Sequence, residues 1–254
     1  ENKDVMKELG VIQRVARFIP CSSQALVNST LRLLFNLSFD EGARDQMIRC
    51  GLVPRLVELL KTPPLRSRTL KLLYHLSVDD RCKEIFYQSD GISILMMMII
   101  KFPQDHLTKE LAALAVNLSL SEKNAEAMVS NRGLNHLMDR LFNTRDPLLF
   151  KIVRNISQWT QSLQEVMAMN DLEYKYRGLW SPHIKGLVQV LHDTDDHETL
   201  VEAFGIMGNL SPEDLPHNQS WSKLLTNGDL LTLVSRMLVP GLCQNDILLE
   251  VILM

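Results

Sequence analysis

A three-residue signature returns five times along this chain: Asn36-Leu37-Ser38, His75-Leu76-Ser77, Asn117-Leu118-Ser119, Asn155-Ile156-Ser157 and Asn209-Leu210-Ser211. The first residues of successive copies lie 39, 42, 38 and 54 positions apart. A period near forty marks a stacked repeat, in which no unit buries its apolar face alone and each leans on its neighbours. Such a chain forms one continuous core, and its function is carried by surface that recurs at the same offset in every unit.

A second ladder runs in phase with the first. Gly10, Gly51, Gly91, Gly133 and Gly228 each precede an apolar stretch, the clearest being Leu52 to Leu60, and Pro182 opens an equivalent stretch without the glycine. Each glycine is expected to end one helix in the left-handed conformation, with proline suited to the first turn of the next. A unit therefore reads as a short helix, a glycine, a second helix, a polar break and a third helix closed by the signature. The expected fold is all-α, an α-solenoid of about six three-helix units. Their approximate limits are 1–39, 40–79, 80–120, 121–160, 161–211 and 212–254, forming a single array over 1–254. Glu1 to Leu9 reads as the inside of a first helix and Ile247 to Met254 as a third, so both ends are expected to be cut from a longer array.

Composition excludes several classes of function. Hydrophobic residues make up 46%, enough for a continuous core, but aromatics are only 6%, so packing rests on Leu, Ile, Val and Met. The 27 basic and 30 acidic side chains leave a net charge of −3, which argues against a general nucleic-acid binder. Cys21, Cys50, Cys82 and Cys243 show no paired spacing and read as reduced thiols of a cytoplasmic protein. The apolar run Ile92 to Ile100 is well short of the ~20 residues a membrane span needs. Asn28, Asn36, Asn117, Asn155, Asn209 and Asn218 fall in glycosylation-type patterns, four of them only because the repeat signature makes that pattern, and they are read as unmodified.

The third helix of the second unit, read as Leu65 to Val78, shows what a unit offers a partner. Leu70, Leu72, Leu73 and Leu76 must face the core. His75, Lys71 and Arg68 then form a stripe on the opposite side, at offsets 0, −4 and −7 from the signature. The same offsets give Asn36, Arg32 and Ser29 in the first unit, and Asn117, Ala113 and Glu110 in the third. They give Asn155, Lys151 and Leu148 in the fourth, and Asn209, Gly205 and Glu202 in the fifth. Stacking would align these stripes into a groove. An asparagine amide both donates and accepts, so a row of them can hold a peptide backbone, or else tie down a neighbouring helix end. Arg32, Arg68, Lys71 and Lys151 beside that row suit a partner with acidic residues, although Glu110 and Glu202 make the stripe mixed.

Two further segments stand out. The 54-residue interval implies an insertion over 161–179, containing Tyr174 and Tyr176 with Glu165, Asp171 and Glu173, and followed directly by Trp180. It serves either as a partner site or as a lengthened first helix. The run His192-Asp193-Thr194-Asp195-Asp196-His197-Glu198 lies in a polar break, where acidic residues cap the next helix. It is read as a cap, with no metal and no cofactor expected. No phosphate loop, zinc spacing or catalytic triad is visible, so no catalytic residue is assigned.

These units resemble the armadillo repeat, whose three helices, glycine before the second helix and Asn-Leu-Ser closing the third are all present. That resemblance implies a right-handed superhelix. More narrowly, Leu26 to Asp40, Trp180 to Leu191 and Glu202 to Leu210 are similar to the kinesin-associated family, the accessory subunits of heterotrimeric kinesin. The resemblance implies a non-catalytic adaptor that binds the tails of the two motor subunits. It would link them to cargo, such as intraflagellar-transport particles, vesicles and the adenomatous polyposis coli protein, in the cytoplasm, at microtubules and in the cilium. Armadillo nuclear-import receptors pair each Asn with a Trp four residues earlier, whereas here those positions hold Arg32, Lys71, Ala113, Lys151 and Gly205. Recognition of basic import signals is therefore not expected. A catenin-like adhesion scaffold and a regulator of a small GTPase are the competing readings.

Overall fold

The computed structural model describes residues 5–6, 8–170, 178–215, 220–223, 230–239 and 244–253. All regular structure among them is helical. Two compact units are distinguished, Glu1–Lys101 with Thr108–Met128, and Phe102–Leu107 with Val129–Met254.

In the first unit the helices are α1 (Val11–Ala16), α2 (Gln24–Leu37), α3 (Glu41–Arg49), α4 (Leu52–Leu59), α5 (Pro63–Leu76), α6 (Asp80–Gln88), α7 (Gly91–Ile100), α8 (Lys109–Ser119) and all but the last residue of α9 (Glu122–Val129). The third helices α2, α5 and α8 stack in sequence order, with α4 against α5 and α7 against α8. Their inward faces are leucine-rich: Leu31 and Leu34, then Leu72, Leu73 and Leu76, then Leu111, Leu114 and Leu118 are all buried. Each such side chain contributes about 1.5–3 kcal/mol of transfer free energy. The turns are set by short polar residues. Asp40 caps α3 by accepting from Ala43 N–H at 2.8 Å, and Asp79 caps α6 by accepting from Arg81 N–H at 2.9 Å. Pro63 opens α5, two residues earlier than the sequence reading placed it.

The second unit contains α9 (Glu122–Val129) from its last residue onward, then α10 (Gly133–Thr144), α11 (Pro147–Ser157), α12 (Thr160–Asn170), α13 (Ile184–Asp193), α14 (His197–Gly208), α15 (Leu230–Met237) and α16 (Asn245–Leu253). Here the stacked third helices are α11, α14 and α16. Residues 102–107 are held to this unit by two polar side chains, the half-buried Arg140 and the buried Asp146. The Arg140 guanidinium donates to the carbonyls of Phe102 at 2.9 Å and Gln104 at 2.5 Å. Asp146, itself buried, accepts from Leu107 N–H at 2.7 Å and caps α11 through Leu148 N–H at 3.0 Å.

The glycine ladder divides into two kinds. Gly10 and Gly51 adopt the expected left-handed backbone, at φ 64° and 69°. Gly91 and Gly133 do not; they are the first residues of α7 and α10. At Gly91 the demand is steric, since a Cβ would come within 2.6 Å of the Phe86 ring. Before α10 the left-handed residues are instead Asn131 and Arg132, at φ 52° and 61°. Gly228 and Asn218 lie outside the described residues.

The stretch opened by Pro182 begins as a 3-10 turn, Ser181–His183, that runs into α13. Within the expected insertion, α12 is a regular helix, while Asp171, Glu173, Tyr174 and Tyr176 lie outside the described residues. Trp180 is fully buried and serves the core rather than a partner.

Candidate functional site

The signature has one role for each of its residues. Its middle residue is core: Leu37, Leu76, Leu118, Ile156 and Leu210 are buried. Its serine is also buried, at Ser38, Ser77, Ser119 and Ser157, and the hydroxyl donates to the carbonyl three residues earlier. The acceptors are Phe35 at 2.7 Å, Tyr74 at 2.7 Å, Val116 at 2.8 Å and Arg154 at 2.7 Å. These are orphan carbonyls of a helix end, which need such a donor.

The first residue of the signature closes the arrangement across layers. Asn117 Nδ2 donates to Ser77 Oγ at 2.9 Å, and Asn209 Nδ2 donates to Ser157 Oγ at 2.9 Å. His75 Nδ1 meets Ser38 Oγ at 2.7 Å. Since the only proton of Ser38 is given to Phe35, His75 must donate from Nδ1, as an asparagine amide would. Burial, and then the Arg44 charge, lower the His75 pKa, which keeps the ring neutral. The ring packs against Phe35 and Phe39, at centroid distances of 4.9 and 4.6 Å. Asn155 is buried within α11. Asn36, at the start of the series, is exposed and makes no side-chain hydrogen bond among the described residues.

The cations expected beside this row have different environments. Arg32 on α2 is exposed, with no ion pair among the described residues. Arg68 donates to Asn28 Oδ1 at 2.8 Å. Lys71 reaches Glu110 on the next third helix at 3.3 Å, so the mixed stripe pairs with itself across layers. These groups are all part-exposed, where such a pair is worth about 0–1 kcal/mol. Lys151 is exposed on α11 and exerts its charge on Glu202 of α14.

One residue of the second unit escaped the sequence reading. Arg154, adjacent to Asn155, bridges Glu202 on α14, at 3.5 Å, and Glu250 on α16 in a close ion pair. Its guanidinium lies where a Cβ on Gly205 would be, so glycine at the −4 offset makes room for it. Burial raises the Glu202 pKa above its usual value, while Arg154 and Lys151 pull it back down. The absence of a side chain at position 205, where three of the other four units carry Arg or Lys, was the signal that could have revealed the bridge.

The acidic run before α14 acts as a cap. Asp196 accepts from Thr199 N–H at 2.8 Å, and His197 Nε2 meets Asp246 at 2.8 Å. Among the described residues no three His, Cys, Asp or Glu side chains converge as metal ligands, and no helix is long and apolar enough to cross a membrane.

The family model described as kinesin-associated protein (KAP) matches residues 1–254. A designed armadillo repeat protein in complex with the peptide (KR)4 superposes with a TM-score of 0.71 at 13% identity, covering 95% of this chain and 97% of that one. A chain solved in work on a phosphorylation switch controlling the interaction between cadherin and beta-catenin gives 0.70 at 18% identity, covering 99% of this chain and 45% of that one. These likenesses bear on the fold, an armadillo-type α-solenoid. A probable inactive serine/threonine-protein kinase of Dictyostelium discoideum is 24% identical over 102 residues, which is 39% of this chain and 5% of that protein.

Proposed function

Since the chain belongs to the kinesin-associated protein family, we propose that it is a non-catalytic adaptor whose third-helix face receives the tails of the two motor subunits of a heterotrimeric kinesin. The same adaptor would link them to cargo, including intraflagellar-transport particles and the adenomatous polyposis coli protein, in the cytoplasm, at microtubules and in the cilium. The family and the armadillo-type fold support the coarser part of this reading, a protein-binding scaffold.

One observation supports the choice of face. The Asn–Ser and His–Ser clasps fix successive third helices in register while leaving Arg32, Arg68 and Lys151 at the surface. The residues of the proposal are Arg32, Asn36, Arg68, Lys71, His75 and Asn117 on the first unit, and Lys151, Asn155 and Asn209 on the second. Cations without deep burial steer acidic partners and set the association rate. The clasped amide of Asn117 keeps an oxygen and a second N–H for a partner's backbone, while that of Asn209, whose Nδ2 also donates to the Arg154 carbonyl at 3.5 Å, keeps its oxygen. The armadillo import-receptor alternative lacks support, because the offset that would need tryptophan holds Arg32, Lys71, Ala113, Lys151 and Gly205.

The test is calorimetric titration of the chain with the co-expressed tails of both motor subunits. Saturable binding that weakens about tenfold in Arg32→Glu/Lys151→Glu is expected. Unchanged affinity in that variant would remove the third-helix face from the proposal.

A further inference from the structure

Three large apolar side chains stand exposed in the first unit at one repeated position, directly after the signature serine. They are Phe39 at 63%, Val78 at 66% and Leu120 at 46% exposure. Each is followed two residues later by an exposed carboxylate: Glu41, Asp80 and Glu122. Apolar residues at a solvent-facing offset are unfavourable for a free surface, and their recurrence with a charge in step marks an interaction site. The pairing lapses in the second unit, where Gln158 and Thr160, then Pro212 and Asp214, hold the same offsets.

The electrostatics of this edge are one-sided. A cleft of about 490 Å³ beside Val78 is lined by Glu41, Arg44, Asp45, Asp79 and Arg81. Of its two cations, Arg81 is held by Asp79 at 2.6 Å and Asp45 at 2.8 Å, and Arg44 keeps its charge while donating to the neutral Ser38 carbonyl at 2.9 Å. Lys123, beside Glu122, is drawn to Glu84 at 3.1 Å. Asp80 is paired with Lys83 at 2.8 Å, whereas Glu41 and Glu122 have no cation partner among the described residues. The carboxylates Glu41, Asp45, Asp79, Asp80, Glu84 and Glu122 outnumber the cations Arg44, Arg81, Lys83 and Lys123, so the row is net negative.

We propose that this edge of the first unit docks an extended protein segment carrying an apolar residue at every third position, each next to a lysine or arginine. The spacing argues for that period. Packed helices lie ~8–10 Å apart, and a polyproline II segment returns to the same face every three residues, ~9.3 Å along its axis. Its apolar side chains would cover Phe39, Val78 and Leu120, and its cations would meet Glu41 and Glu122 and share Asp80 with Lys83. The face adjoins His75 through Phe39 but is separate from the cationic stripe of the third helices, which would repel such a segment.

The probe is a fluorescent peptide of three Leu-Arg-Pro triplets, titrated against the full chain by anisotropy. Two control peptides replace Arg by Glu or Leu by Ser. Saturable binding of the Leu-Arg-Pro peptide is expected, weakened about tenfold in Val78→Ser/Leu120→Ser and in Glu41→Gln/Glu122→Gln. Both control peptides should bind about tenfold more weakly. Phe39 is left intact because it packs on His75. Arg32→Glu/Lys151→Glu should leave the peptide's affinity unchanged while weakening the motor tails, which separates this site from the proposed groove. Absence of saturable binding, equal affinity for the Glu-bearing peptide, or full affinity in both edge variants would overturn the proposal.

Discussion

Asn117 donates from Nδ2 to Ser77 Oγ at 2.9 Å, joining the ends of two consecutive third helices 40 residues apart. The same serine hydroxyl gives its own proton to the Tyr74 carbonyl, so one buried group satisfies a helix end and receives the next layer. The repeat signature is thus an inter-layer clasp as well as a sequence marker.

Ser77→Ala should lower stability by about 1–3 kcal/mol, since it strands both the Tyr74 carbonyl and the Asn117 amide. Asn117→Ala should cost less, about 1 kcal/mol. His75→Asn should cost about 0.5–1.5 kcal/mol, because it keeps a donor toward Ser38 but gives up the ring contacts with Phe35 and Phe39. Urea denaturation of the three variants checks the ranking; a Ser77→Ala midpoint equal to wild type would refute the clasp.

Gly205→Ala should destabilise the second unit by about 1–3 kcal/mol through collision with Arg154. In the Arg154→Ala background the same substitution should cost much less. A double-mutant cycle measured by thermal melting reads this coupling directly. Purely additive effects would mean that the glycine answers some other demand.

His183 is buried against Asn135, at 3.1 Å, and burial pushes its pKa down to about 4 from an ordinary 6.5. The neutral ring is the folded form, so the unfolded chain binds a proton first as pH falls. Stability is full above about pH 6.5 and declines toward pH 4, by about 3 kcal/mol from this group. His183→Gln should flatten that part of the profile. A wild-type slope retained in the variant would assign the loss to other groups.

Arg32→Glu and Lys151→Glu should each change folding stability by only about 0–1 kcal/mol, because both side chains are exposed. Their effect should appear in partner binding and its salt dependence. A large shift in melting temperature would show that they hold the layers together instead.

Much of the fold was legible because helical periodicity is a local property. Leu70, Leu72, Leu73 and Leu76 declared their inward face by spacing alone, and all are buried. Asp196 was legible as a cap for the same reason, being a short acceptor at a helix start. The glycines were less so. The sequence presents Gly51 and Gly91 alike, yet one needs a left-handed backbone and the other makes room for Phe86, a distinction set by the local packing around each glycine.

The sequence by itself determined the repeat period, the apolar face of each helix and the offsets at which polar residues recur. Those depend on spacing within a single helix. Only the tertiary structure decided what the polar residues do. The partners of His75 and Asn209 lie 37 and 52 positions away, and those of Lys71 and Arg154 on neighbouring third helices. Whether a side chain at a given offset meets a hydroxyl, a carboxylate or solvent depends on how one layer sits on the next, which no single helix encodes.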